Sequence, residues 1–329
     1  MLKKLFLLLI LSFYGCGLNQ LMRPNTIETN FANTITKKDL KQILYQLSSN
    51  DFTGRKSGEK GQKLAAKYLA NYYKNIGVKS AYDSTYFQTV PKDFFRGLAN
   101  AESENIVAYI KGSTCPGQYI IVSAHYDHLG KKYGKIYAGA DDNASGTAAI
   151  LEIAEAFKIA SKYGNRPKRS IVFLNLTGEE EGLFGSKFYI ENPIFSLKNT
   201  ITDLNIDMIG RVDKAHKKKP NYIYLIGSSK LSTELKNISE KVNATYTKLN
   251  IDYKYDKDDP NKFYYRSDHY NFAKHNIPII FYFNGVHKDY HQPTDTPDKI
   301  DYDLLAKRTK LVFYTAWKLA NKATKLKLD

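Results

Sequence analysis

Short apolar runs separated by longer amphipathic stretches constrain this chain most. Residues 119–124 and 171–176 are apolar enough to be strands buried on both faces. Residues 106–111, 201–206, 222–226 and 279–283 read as further strands, the last entered through Pro278, a position where a strand tolerates proline. Between them the period changes. Ile150, Ile153, Ala154 and Phe157 fall at i, i+3, i+4, i+7 spacing, which predicts a helix over 145–163. Helices are also expected over 37–49, 58–76, 183–189, 231–242, 268–275 and 302–322. Strands alternating with helices predict an α/β fold, a mostly parallel central sheet flanked by helices on both faces. No linker-like stretch or internal repeat interrupts the pattern, so a single domain is expected. Residues 79–100, 211–220 and 244–266 are weakly patterned and are expected as loops, candidates for the walls of a cleft.

The first sixteen residues differ. Lys3 and Lys4 precede an unbroken apolar run, Leu5 to Leu11, too short to span a bilayer. It leads to Gly15-Cys16, which resembles the lipobox of bacterial lipoproteins. The expectation is a lipoprotein-type signal over 1–16, a polar tether over 17–36 and a folded domain over 37–325. Lipidation of Cys16 would anchor the chain to the membrane of a bacterial cell envelope, on its periplasmic or surface side. Cys115 is the other cysteine, so thiolates cannot form a metal site and His and carboxylates must serve. Net charge is +16, but the lysines are spread along helices, the tight cluster at 214–219 reads as a solvated loop, and nucleic acid is not an expected partner.

Polar residues of metal-binding type recur where expected strands end: His125, Asp127 and His128; Asp141-Asp142-Asn143; Glu179-Glu180-Glu181; Asp207; and His291. In an open α/β sheet ligands bind outside the carboxyl ends of the strands, so five such places suggest one shared site. Each has an ordinary alternative. Asp142 and Asn143 could cap the helix that follows, Asp207 could start a turn, and His291 could be solvated, as Asp295 could begin a turn. Either His125 or His128 could be a ligand, and Asp127 is placed to orient an imidazole. One carboxylate of Asp141-Asp142 could bridge two ions. Adjacent glutamates can divide the work of ligand and general base. A mixed His and carboxylate set suits catalytic zinc.

Together these segments resemble the zinc-dependent aminopeptidases of the bacterial leucyl aminopeptidase type, whose relatives include glutamate carboxypeptidase and glutaminyl cyclase. The likeness spans roughly 37–325 and includes Asp51-Phe-Thr-Gly-Arg55. It implies two zinc ions. His125 and Asp207 would hold one, Glu180 and His291 the other, and Asp141 would bridge them, joined to Asp142 by a cis peptide. Glu179 would be the general base and Tyr264, three residues before Ser267-Asp268-His269, would stabilise the oxyanion. Gly178 stands where alanine is common and Arg266 where a small residue occurs. The implied activity is removal of N-terminal residues from peptides with a free amine; glutaminyl cyclisation on one zinc is the alternative.

Overall fold

The computed structural model describes residues 26–81 and 84–329. Its helices are α1 (Ile27–Ala32), α2 (Lys37–Leu47), α3 (Lys60–Ile76), α4 (Gly146–Lys162), α5 (Phe184–Glu191), α6 (Thr233–Val242), α7 (His269–Ala273) and α8 (Tyr302–Asn321). Its strands are β1 (Lys79–Ser80), β2 (Phe87–Val90), β3 (Ser103–Ile110), β4 (Cys115–His125), β5 (Lys131–Lys132), β6 (Lys135–Ile136), β7 (Arg169–Leu176), β8 (Thr200–Ile206), β9 (Tyr222–Ile226), β10 (Asn250–Asp252) and β11 (Ile279–Phe283). Strands β5 and β6 form a separate hairpin; the rest make one sheet in the order β1-β3-β7-β4-β8-β11-β9-β10, with β2 also paired to β3.

The centre of the sheet, β7-β4-β8-β11, is parallel. Both flanks turn antiparallel: β3 runs against β7, and β9 against β11. The parallel expectation thus describes the centre, where β4, β7 and β11 carry the apolar runs, and the outer β9–β10 pair, but not the joins of β3 and β9 to the centre. Strands β1, β2 and β10 are short and partly exposed, and they fall in segments read as loops because no apolar run marks them.

Side chains alternate across the sheet. Ile120, Val122 and Ala124 join the core beneath α2, α3, α4 and α8, whereas Ile121, Val172 and Leu174 pack with Tyr189 of α5 and Phe272 of α7 on the opposite face. The folded body also begins earlier than expected. Residues 27–32 form α1 rather than tether, because Phe31 and Ala32 are buried and Phe31 meets Trp317 of α8 at 5.7 Å between ring centroids. The expected signal over 1–16 and the start of the tether lie outside the described residues.

Candidate metal centre

The site forms where β4, β7, β8 and β11 end. His125 is the last residue of β4, Asp207 directly follows β8, Glu179 and Glu180 follow β7, and His291 lies in the loop after β11. The fifth contribution comes from the turn that opens α4. Gly139 enters it with φ +53, and a Cβ there would lie 2.3 Å from the Asp142 carbonyl oxygen and 2.5 Å from the His128 ring. Only a residue without a side chain lets the loop close this tightly.

A buried arginine fixes the loops from below. Arg55 is fully buried and donates to the carbonyls of Leu47, Tyr126, Ala138 and Gly139 at 2.6–2.9 Å. Burial lowers its pKa to about 10, so it stays charged at neutral pH, and its four acceptors offset the desolvation. Asp295 completes the turn, its Oδ2 accepting the amides of Asp141 and Asp142 at 2.9 and 3.2 Å.

This turn decides between the two adjacent aspartates, and it corrects the sequence reading. Asp141 faces away from the cluster: its Oδ1 accepts the Gly210 amide at 2.7 Å and its Oδ2 lies 3.0 Å from His287 Nε2. Asp142 takes the central place. Its Oδ1 lies 3.4 Å from His125 Nε2 and its Oδ2 lies 3.0 Å from His291 Nε2. The cis peptide is correspondingly Asp142-Asn143, one residue beyond the expected position.

The two oxygens of Asp142 therefore face two different groups. On one side His125 Nε2 is 3.4 Å from Asp207 Oδ1 and 4.0 Å from Glu179 Oε2. On the other, Glu180 divides its oxygens, Oε1 lying 2.7 Å from His128 Nδ1 and Oε2 3.2 Å from His291 Nε2. His125, Glu179 and Asp207 bring one ligand atom each within 4.8 Å of one another, as do His128, Asp142 and Glu180. The structure thus gathers His125, Glu179, Glu180, Asp207 and His291 as expected, and adds Asp142 and His128. The recurrence of histidine at 125 and 128 was the available signal for the second.

The donor atoms fit a cation. His125 Nε2 and Asp207 Oδ1 are buried and have no hydrogen-bond partner among the described residues. The other ends of both groups are tied down. His125 Nδ1 lies 3.2 Å from the Asp127 carbonyl oxygen, which fixes the ring with Nε2 turned inward, and Ser267 donates to Asp207 Oδ2 at 2.7 Å. The Asp127 carboxylate stands beside the ring as expected, Oδ1 3.6 Å from His125 Nδ1, and it also accepts the amides of Glu179 and Glu180, each at 3.3 Å, and so sets the segment after β7.

Protonation separates the paired glutamates. Burial, reinforced by Glu180 and Asp207 against the pull of His125, pushes the Glu179 carboxyl well above the usual range. Glu180 goes the other way: against burial and the charge of Asp142, His128 and His291 hold it below its ordinary value.

Beside the carboxylates a cleft is walled by Met208, Phe263, Phe281, Phe283 and Val286, with Arg266, Tyr290 and His291 also lining it. Tyr264 does not reach it. Its ring is half-buried among Tyr265, His269 and Tyr270, with Lys230 over its face. The tyrosine at the cleft is Tyr290, stacked on His291 at 3.9 Å between centroids. Its sequence neighbour, a ligand-type histidine, was the signal for it.

Known proteins resemble this chain in sequence and in fold. Residues 105–316 match the model for Peptidase family M28. A probable zinc metalloprotease of Pyricularia oryzae is 28% identical over 278 residues, covering 71% of this chain and 54% of that protein. The chain thus spans about half the length of that fungal relative. A probable leucine aminopeptidase of Arthroderma otae is 29% identical over 301 residues, 88% of this chain and 78% of that one. Among solved structures, LapB from Legionella pneumophila superposes with a TM-score of 0.73 at 19% identity, over 91% of this chain and 76% of that one, which shows a shared fold.

Proposed function

This chain belongs to peptidase family M28, and we propose that it is a zinc-dependent aminopeptidase that removes N-terminal residues from peptides. The observation that carries the reading is Asp142, whose two oxygens face separate His and carboxylate groups with Glu179 beside them. On this reading His125 and Asp207 would hold one zinc, Glu180 and His291 the other, and Asp142 would be shared. Zinc bound there supplies a Lewis acid that polarises a carbonyl and lowers the pKa of water towards ~7.

The chain's own groups do the rest. Glu179 is not drawn onto a histidine as Glu180 is, so it is available as a base. Its carboxylate takes a proton from the attacking water and returns it to the leaving amine. Asp127 keeps Glu179 and Glu180 in register through their amides. The carboxylates attract the free α-amine of the substrate, and the apolar wall of the cleft receives its first side chain.

A peptide beginning with glutamine tests the reading. The zinc-loaded protein should release free glutamine and a shortened peptide, leave the N-acetylated peptide intact, and lose activity to a chelator until zinc is restored. Mass spectra showing loss of ammonia with the chain uncut would replace hydrolysis by cyclisation.

We also infer a lipid anchor at Cys16, supported by the short apolar run and Gly15-Cys16 that precede the folded body. Among the described residues no helix is long and apolar enough to cross a membrane. Stable anchoring takes two acyl signals, since one chain binds only marginally. Wild-type protein grown with labelled fatty acid should fractionate with membranes and carry label, and Cys16→Ser should carry none. Unlabelled, wholly soluble wild-type protein refutes the anchor.

A further inference from the structure

Arg266 is the one Lys or Arg, among the described residues, that lines the cleft beside the carboxylates. Its position is built. The guanidinium carbon lies 4.9 Å from the centre of the Phe263 ring, and Nη2 donates to the Tyr290 hydroxyl at 3.3 Å. Phe263 belongs to the apolar wall, and the Tyr290 ring stacks on His291. The guanidinium therefore spans from the apolar wall to the metal-ligand side while remaining exposed to solvent. Its backbone is fixed to the site as well: the Arg266 amide donates to the Phe263 carbonyl at 3.0 Å, and the next residue, Ser267, holds Asp207.

A side chain entering the apolar part of the cleft passes this cation. The carboxylates of Asp142, Glu179, Glu180 and Asp207 offset it little once zinc is bound, because two divalent ions would match or exceed their summed charge; an α-amine docked directly against a carboxylate oxygen still meets it, whereas a side chain beside Arg266 does not. The charge left uncompensated at the mouth is then that of Arg266. Like charges brought together in a cleft repel and opposite charges attract, and the effect is larger there than in open water.

We propose that Arg266 is a charge filter for the N-terminal side chain of the substrate, admitting acidic residues and turning away lysine and arginine. The proposal rests on the aminopeptidase reading above and names the substrate class of the same cleft. It assigns Arg266 a role in specificity, with no part in proton transfer.

The experiment compares L-glutamyl and L-lysyl amides on the zinc-loaded full chain, for wild type, Arg266→Met and Arg266→Lys. The Glu-to-Lys ratio of kcat/KM within one preparation cancels any general loss of fold or metal. We expect a wild-type ratio on the order of tenfold to a hundredfold. It should fall at least about tenfold in Arg266→Met, which keeps bulk and loses charge, and persist in Arg266→Lys. Free L-glutamate and L-lysine, bound as product-like ligands and followed by calorimetry, should show the same change of ratio. A ratio unaltered in Arg266→Met, in turnover or in binding, overturns the filter. If no amide is hydrolysed but the binding ratio still depends on Arg266, the filter stands and the aminopeptidase reading falls.

Discussion

Asp142→Ala should strip zinc from both halves of the site and cut turnover steeply, whereas Asp141→Asn should leave both ions in place. Among the described residues Asp142 is the one carboxylate that approaches a histidine of each group, 3.4 Å from His125 through Oδ1 and 3.0 Å from His291 through Oδ2. Removing it withdraws a ligand from each half and leaves the remaining acids facing one another. A loss on the order of 10³-fold, ~4 kcal/mol of barrier, is expected. Asp141 holds the loop and no ion. Its contacts are the Gly210 amide and His287, and an asparagine oxygen can still accept from the first. Loss of such a supporting contact costs roughly 10–100-fold in metal affinity at most, a range that saturating zinc can mask. Metal content by atomic emission, measured beside activity at saturating zinc, separates the two. If Asp141→Asn proves empty and Asp142→Ala retains two ions, the assignment of the shared ligand is wrong.

That pair also shows where sequence legibility ends. The buried strands were readable because a parallel strand covered on both faces must be apolar throughout, as in Ile120, Ile121 and Val122. The ligand-bearing segments were readable because acids and histidines at the ends of such strands are hard to explain as packing. Which of two neighbouring aspartates points inward is another kind of question. It depends on the backbone path after Gly139 and on partners distant in sequence: the Asp295 carboxylate and the Gly210 amide. Residue type alone does not carry that information. The same holds for Tyr264 and Tyr290, where the family resemblance pointed to one and the packing of the loop after β11 brought the other to the cleft. Strands β1, β2 and β10 escaped because they add to the sheet beside β3 and β9 with little apolar demand on their side chains, and the reversed direction of β3 and β9 is not written in residue type. Helix α1 escaped because six residues are too few to establish a helical period.

The second large effect separates Glu179 from Glu180, neighbours that geometry alone leaves interchangeable as ligands. One groups with His125 and Asp207, the other with His128 and Asp142. Their surroundings differ. Glu180 has a histidine on each oxygen, at 2.7 and 3.2 Å, which holds it ionised and in one orientation, as a ligand must be. Glu179 stands 4.0 Å from its nearest histidine, and burial favours its neutral form, so it binds a proton more readily than an ordinary carboxylate. A general base needs that affinity: it must accept a proton from water and hold it until the amine leaves. Glu179→Gln keeps the shape and removes the basicity. It should bind zinc as wild type does and lose on the order of 10²–10⁴ in kcat. Glu180→Gln removes a charged ligand between His128 and His291. It should lower zinc affinity by more than the roughly 100-fold that loss of a supporting contact costs, and recover part of its activity when zinc is raised. Zinc titration followed by calorimetry, with kcat measured across the same series, reads both outcomes. An affinity defect in Glu179→Gln, together with a zinc-saturated but inactive Glu180→Gln, would reverse the roles of ligand and base at the end of β7.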